Sequence, residues 1–116
     1  MKVQAVSREL KISAQKLRLV ADVVRGKQAN RALEELVVMP HKGARMVYDT
    51  VHSAMASAEH NYNLTRASLT IDEIRVDQGS HYKRFRPRAR GRASQVIHPM
   101  AHLTVVLNDQ TKEGVR

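Results

Sequence analysis

Residues 42–60 read KGARMVYDTVHSAMASAEH and form the most regular pattern in the chain. Their apolar positions recur at intervals of three and four residues, which predicts an amphipathic helix with one buried face. These positions are Ala44, Val47, Tyr48, Val51, Ala54, Met55 and Ala58. Because several of them are small, we expect another backbone or a sheet to approach this helix closely.

Two shorter helices are predicted on the N-terminal side of this one. Ser13 is placed to accept a hydrogen bond from the amides of a first turn, and Gly26 suits the position after a last turn. Apolar residues at helical spacing between them predict a helix over residues 14–25. A second helix is expected over residues 29–38, because Pro40 prevents its continuation.

Alternating apolar residues predict three strands around the helices. Residues 3–7 and 103–107 each alternate, and the alternation in residues 69–76 changes phase between Ile71 and Ile74, which is typical of a β-bulge. The order of one strand, three helices and two strands predicts a single α+β domain over residues 1–116. We expect three helices packed on a small three-stranded antiparallel sheet, with the last two strands paired as a long hairpin.

Composition narrows the class of function. The 116 residues carry a formal net charge of +9, which predicts a polyanionic partner. The chain has no cysteine, which excludes disulfides and thiol chemistry. The sequence shows no signal peptide and no apolar run long enough to span a membrane, so a soluble cytoplasmic protein is expected.

The charge excess is concentrated in one short segment. Residues 83–92 carry six of the positive charges, which leaves +9 − 6 = +3 for the other 106 residues. These six residues are Lys83, Arg84, Arg86, Arg88, Arg90 and Arg92. The arginines alternate with small or apolar residues, so an extended chain would place their guanidiniums on one side. Arginine is suited to bidentate contacts with phosphate and to stacking on bases.

This basic segment is expected to protrude from the domain. No acidic residue lies between Gln78 and Asn108, so the cations have no local partner that would allow them to be buried. A hairpin over about residues 78–101 that binds nucleic acid is the leading interpretation. Alternatives are a solvated loop, an anion or nuclear-import patch, and a DNA-bending architectural protein with a basic β-arm.

Other candidate sites give weaker signals. Six cations near the first helix suit either a solvated face or contact with phosphates, and contact is slightly favoured. They are Arg8, Lys11, Lys16, Arg18, Arg25 and Lys27. His52 and Asp49 would be the residues to test in an RNA-processing enzyme, but no catalytic arrangement surrounds them. Neither a metal site nor a cofactor site is predicted from the spacing of histidines, acids and glycines.

Several segments resemble one protein family. Residues 12–22, followed by residues 25–27, resemble the first helix of the bacterial large-subunit ribosomal protein family numbered twenty-two. Residues 54–61 are similar to the end of that family's third helix, residues 83–93 to the tip of its hairpin, and residues 102–106 to its last strand. The resemblance extends over residues 6–108, in the same order and spacing.

This resemblance implies a structural protein of the large ribosomal subunit rather than an enzyme. Its implied partners are large-subunit rRNA, neighbouring large-subunit ribosomal proteins and the nascent polypeptide, with the protein a monomer within the ribosome and away from membranes. The hairpin would line the peptide exit tunnel near the macrolide site. The residues that match its tip are Arg84, Phe85, Arg86, Pro87, Arg88, Ala89, Arg90 and Gly91. One departure from the family is that residues 94–100 contain no lysine or arginine, which puts phosphate contacts of the returning strand in doubt.

Overall fold

The computed structural model describes residues 2–87 and 93–109, with side chains described for residues 2–79 and 99–109. Three helices and three strands follow the predicted order, with a short 3-10 turn at Arg66–Ser68 before the second strand. The elements are β1 (Lys2–Leu10), α1 (Ala14–Val24), α2 (Ala29–Val38), α3 (Lys42–Tyr62), β2 (Leu69–Pro87) and β3 (Ala93–Asp109). The predicted α+β fold is therefore confirmed.

The sheet is antiparallel throughout, and its order is β1-β3-β2. β1 pairs with β3 only between Lys2 and Leu10, where Leu10 lies opposite Ala101. β2 pairs with β3 over a much longer distance, from Leu69 opposite Asp109 to Pro87 opposite Ala93. From Ala101 back to Ala93, β3 pairs only with β2, so the sheet is reduced there to a ribbon of two strands.

The predicted bulge in β2 is present. The register with β3 shifts between Ile71 and Glu73, so both phases of alternation keep their apolar side chains in the core. Two further bulges were not predicted, one in β1 between Ser7 and Leu10 and one in β2 between Gln78 and His81. Neither leaves an apolar signal, because the residues around them are mostly polar.

The three helices bury their apolar faces against one face of the sheet. All the predicted apolar positions of α3 are buried except Tyr48, which is half-buried. Gly43 allows a close approach at the start of α3, since a Cβ there would lie 3.2 Å from both Ile12 Cδ1 and Leu17 Cδ1. This contact lies where α3 meets the start of α1, and it is made by side chains, so the expected approach of a backbone or a sheet to the small residues of α3 stays a prediction.

The helix ends agree with the sequence to within two residues. The Ser13 hydroxyl accepts from the Lys16 amide at 3.3 Å, and Gly26 has φ +81 after the end of α1. α1 ends one residue earlier than predicted, because Arg25 adopts an extended conformation. α3 runs two residues further than predicted and ends at Asn63, which adopts the left-handed conformation with φ 54.

Candidate nucleic-acid interface

The basic hairpin is a continuation of two core strands. We call residues 78–87 of β2 and 93–101 of β3 the arm. Its backbone ladder places Arg84 opposite Val96 and Arg86 opposite Ser94, so β2 carries the cations and β3 does not. Lys83 and Phe85 lie on the same segment of β2. Outside the described residues lie the rest of the predicted tip, Arg88, Ala89, Arg90 and Gly91, and the predicted RNA-binding residue Arg92.

The six predicted cations near the first helix divide into two groups. In the first group, Arg18 and Arg25 bind the edge of β2 that faces away from β3. Arg18 donates from Nε and Nη2 to the Val76 carbonyl at 3.3 and 3.0 Å, and Arg25 donates from Nη2 to the Ile74 carbonyl at 3.0 Å. Arg25 also forms an ion pair with Asp22. These guanidiniums satisfy carbonyls that an open sheet edge would otherwise leave free to pair with another chain.

Lys27 completes the same edge through its backbone. Its carbonyl accepts from the Ile71 amide at 2.9 Å, and its side chain forms an ion pair with Glu35, with Nζ 2.6 Å from Oε2. Gln28 adds an isolated bridge to Thr70. The sequence left open whether this group is a solvated face or contacts phosphates. The contacts give Arg18, Arg25 and Lys27 a role in the fold that neither interpretation included.

The second group is not engaged in this way. Arg8, Lys11 and Lys16 form no side-chain hydrogen bond or ion pair with any residue that the structure describes. Arg8 and Lys11 flank Leu10, which faces Ala101 at the base of the arm, and Lys16 lies in the first turn of α1. Lys42 joins them, because its Nζ donates to the Lys11 carbonyl at 2.9 Å. We call these four residues the basal cluster.

Helix ends add to the positive potential of the basal cluster. Lys16 lies in the first turn of α1 and Lys42 is the first residue of α3, and neither helix has an acidic residue in its first turn. The N-terminus of a helix carries a partial positive charge and free amides, which favour anions. Lys42 was missed from the sequence, because only the packing of α3 on α1 brings it beside Lys11.

The remaining candidates show no catalytic arrangement in the described part of the chain. His52 stacks on Tyr48 with the ring centroids 6.1 Å apart, and Asp49 pairs with Arg45, with Oδ1 3.4 Å from Nε. Among the described residues, no three histidine or carboxylate side chains come together as a metal site would require. None of the described helices is both long and apolar enough to cross a membrane.

Comparison with known proteins identifies the class to which this fold and basic arm belong. Residues 5–108 match the family described as Ribosomal protein L22p/L17e. A protein named Large ribosomal subunit protein uL22 from Chloroflexus aggregans is 50% identical over 111 residues, which are 96% of this chain and 98% of the relative. Relatives of the same name occur in Thermomicrobium roseum, at 43% identity over 98% of this chain and 97% of the relative, and in Herpetosiphon aurantiacus, at 42% over 94% and 96%.

The chain therefore belongs to the L22p/L17e family of ribosomal proteins. This confirms the family that the sequence resembles, and it confirms the expected class of function. Proteins of this family are structural components of the ribosome and not enzymes. Which residues touch RNA is a separate question, and the predicted RNA-binding residues stay predictions.

Proposed function

We propose that this protein is a structural constituent of the large ribosomal subunit, that it binds large-subunit rRNA during assembly, and that its arm lines the nascent peptide exit tunnel near the macrolide site. The observation that carries the proposal is the arm itself. It extends two core strands beyond the three-stranded sheet, and its β2 side holds Lys83, Arg84 and Arg86. The names of the relatives support the assignment to the large subunit.

The body would contribute a second contact through the basal cluster. Arg8 and Lys11 flank the residue of β1 that faces the base of the arm, and Lys42 contacts Lys11, so the cluster and the arm would form one continuous RNA surface. A cation that has no carboxylate partner can bind a phosphate without breaking an ion pair. In contrast, Arg25 and Lys27 would have to give up their carboxylate partners.

The same proposal includes the protein's surroundings. It would act as a single domain over residues 1–116 and as a monomer within cytoplasmic ribosomes. Its partners would be large-subunit rRNA, neighbouring large-subunit ribosomal proteins and the nascent polypeptide. Nucleic-acid chemistry supports the first of these, because an extended, arginine-rich strand pair can reach between RNA helices and contact phosphates and bases.

Sedimentation of tagged protein with ribosomal particles tests the proposal. We expect the full chain to migrate with large subunits and to remain bound after a high-salt wash. A version lacking residues 83–92 should be lost in that wash. If the full chain stays at the top of the gradient, the proposed function is wrong.

A matched pair of variants tests the basal cluster. Lys11→Gln with Lys16→Gln removes two cluster charges, and Arg31→Gln with Arg45→Gln removes two exposed charges elsewhere on the body. For an rRNA transcript, each lost phosphate contact lowers the slope of log affinity against log salt by about 1. The first pair should lower that slope by about 2, and the control pair should leave it unchanged. Equal slopes for the two pairs would remove the basal cluster from the interface.

A further inference from the structure

The arm leaves the body at a place where both neighbours of β3 are irregular. The bulge in β1 lies between Ser7 and Leu10, and the second bulge in β2 lies between Gln78 and His81. The first faces residues 101–103 of β3 and the second faces residues 99–101. A bulge bends its strand and increases the local twist. Two bulges on either side of Ala101 therefore mark a bend at the base of the arm.

One side chain contacts the β1 bulge from β3. The Glu9 amide donates to His102 Nδ1 at 3.0 Å. Glu9 has φ 55, a left-handed conformation that residues with a Cβ rarely adopt, so surrounding contacts must hold it there. His102 supplies an acceptor for an amide that the register shift removes from regular pairing.

The Nε2–Cε1 edge of the same ring faces the β2 bulge. A Cβ added to Gly79 would lie 3.1 Å from His102 Nε2 and 3.2 Å from Cε1. The glycine therefore leaves the space that the imidazole occupies. The Met100 carbonyl, 3.3 Å from the same point, closes this space from the β3 backbone.

We propose that His102 is the positioning residue of the arm. Its Nδ1 holds the bulge of β1 while its Nε2 edge packs on the bulge of β2, so one ring fixes the direction in which the arm leaves the sheet. The effect on RNA binding rests on the proposed function. From Gln78 to Pro87 the arm spans about 30 Å at roughly 3.3 Å per residue. A rotation of about 10° at its base would then displace its end by roughly 5 Å.

Distance measurements on the free protein test the positioning role. The chain has no cysteine, so Ser53→Cys on α3 and Gln95→Cys on the arm would carry the only two spin labels. Pulsed electron paramagnetic resonance should give one narrow distance distribution for this labelled parent. His102→Ala should broaden the distribution and displace its maximum by several ångströms, on the order of the 5 Å estimated from strand geometry. His60→Ala, a change of an exposed histidine at the end of α3, should leave it unchanged.

Conservative replacements separate positioning from a general loss of structure. Asn at position 102 can place its amide oxygen where His102 Nδ1 lies, so His102→Asn should restore a distribution closer to the parent than His102→Ala. Gly79→Ala should shift the parent distribution, because the new methyl group meets the ring. In the His102→Asn protein, which lacks the Nε2 edge, the same Gly79→Ala change should give a smaller shift.

These outcomes decide the inference independently of RNA. A parental distribution in His102→Ala, or an equal Gly79→Ala shift in both backgrounds, overturns it. The affinity for a large-subunit rRNA transcript then tests whether the direction of the arm affects RNA binding. The His102→Ala variant should bind this transcript more weakly. If His102→Ala changes the distance distribution and leaves the affinity for the transcript unchanged, the direction of the arm does not affect RNA binding. If deleting residues 83–92 also leaves affinity unchanged, the proposed function fails while the positioning role stands.

Discussion

The body and the arm are built from the same two strands, and they differ in what lies beside those strands. In the body, β3 has β1 as a second neighbour, and the free edge of β2 is bound by Arg18 and Arg25. In the arm, among the described residues, β2 and β3 have only each other. A two-stranded ribbon isolated from other structure is marginally stable in water, so the arm depends for its order on its attachment to the body. Stability therefore resides in the body, and the arm is available for a partner that contacts it directly.

The largest expected effect concerns the arm and salt. If about six phosphates are neutralised, affinity for rRNA should fall roughly a thousandfold between 50 and 200 mM salt. A variant with Arg84, Arg86, Arg88, Arg90 and Arg92 replaced by glutamine should lose most of this dependence. Filter binding or fluorescence anisotropy at several salt concentrations would measure it.

The control for this prediction is the stability of the body. The same five replacements should leave the denaturant midpoint of unfolding unchanged, because the described core is formed by the helices and by the part of the sheet that they cover. A flat salt response of the unmodified protein would show that phosphate contacts do not drive binding. A large loss of stability in the variant would show that these arginines contribute to the stability of the body.

A substitution in the core should lower the stability of the body, in contrast to the replacements in the arm. Leu103 is fully buried on the helix-facing side of β3, so Leu103→Ala should lower the free energy of unfolding by about 3 kcal/mol through lost burial and the cavity that remains. Leu19 is 61% exposed on α1, and Leu19→Ala should change it by less than about 0.5 kcal/mol. Urea unfolding followed by circular dichroism would compare the two. Equal effects would mean that β3 is not the centre of the body.

The smallest effect is expected at the edge of β2 that Arg18 and Arg25 bind. Arg18→Ala removes two hydrogen bonds to the Val76 carbonyl, and because the side chain is exposed we expect a loss of about 1 kcal/mol in unfolding free energy. It should also increase self-association, because a strand edge is left open. Arg31→Ala, which removes an exposed cation of α2 with no partner among the described residues, is the control. Light scattering that does not distinguish the two variants would count against an edge-protecting role.

Most of the fold could be predicted from local patterns. The bounds of α2 and the cap at Ser13 follow from short-range rules, because the residues that determine them are adjacent in sequence. The bulge after Ile71 was visible because it shifts a pattern of apolar residues. The bulges near Glu9 and Gly79 were not, because they are recognised only by which residue of β3 faces them.

The candidate site was predictable to a different extent in its two parts. The arm appears as a run of charge that has no acidic neighbours, so its composition alone reveals it. The cations of the body look alike in sequence, although Arg18 and Arg25 bind carbonyls far along the chain while Lys11 and Lys16 do not. Lys42 belongs with Lys11 only because two helix starts pack together. Such groupings depend on tertiary contacts, which spacing cannot show.

The order of the strands also has a consequence for how the protein is made. β3 is the last of the three strands in sequence, at residues 93–109, yet it lies between β1 and β2, so neither of those strands has its partner until β3 has been synthesised. The helices end at residue 62 and can form earlier, but the sheet on which they pack is absent until β3 has been synthesised. Long-range strand pairing of this kind is slow compared with helix formation. The sheet therefore cannot form until β3 has been synthesised and has left the ribosome that translates it, and a chain stopped before residue 93 has no sheet to complete.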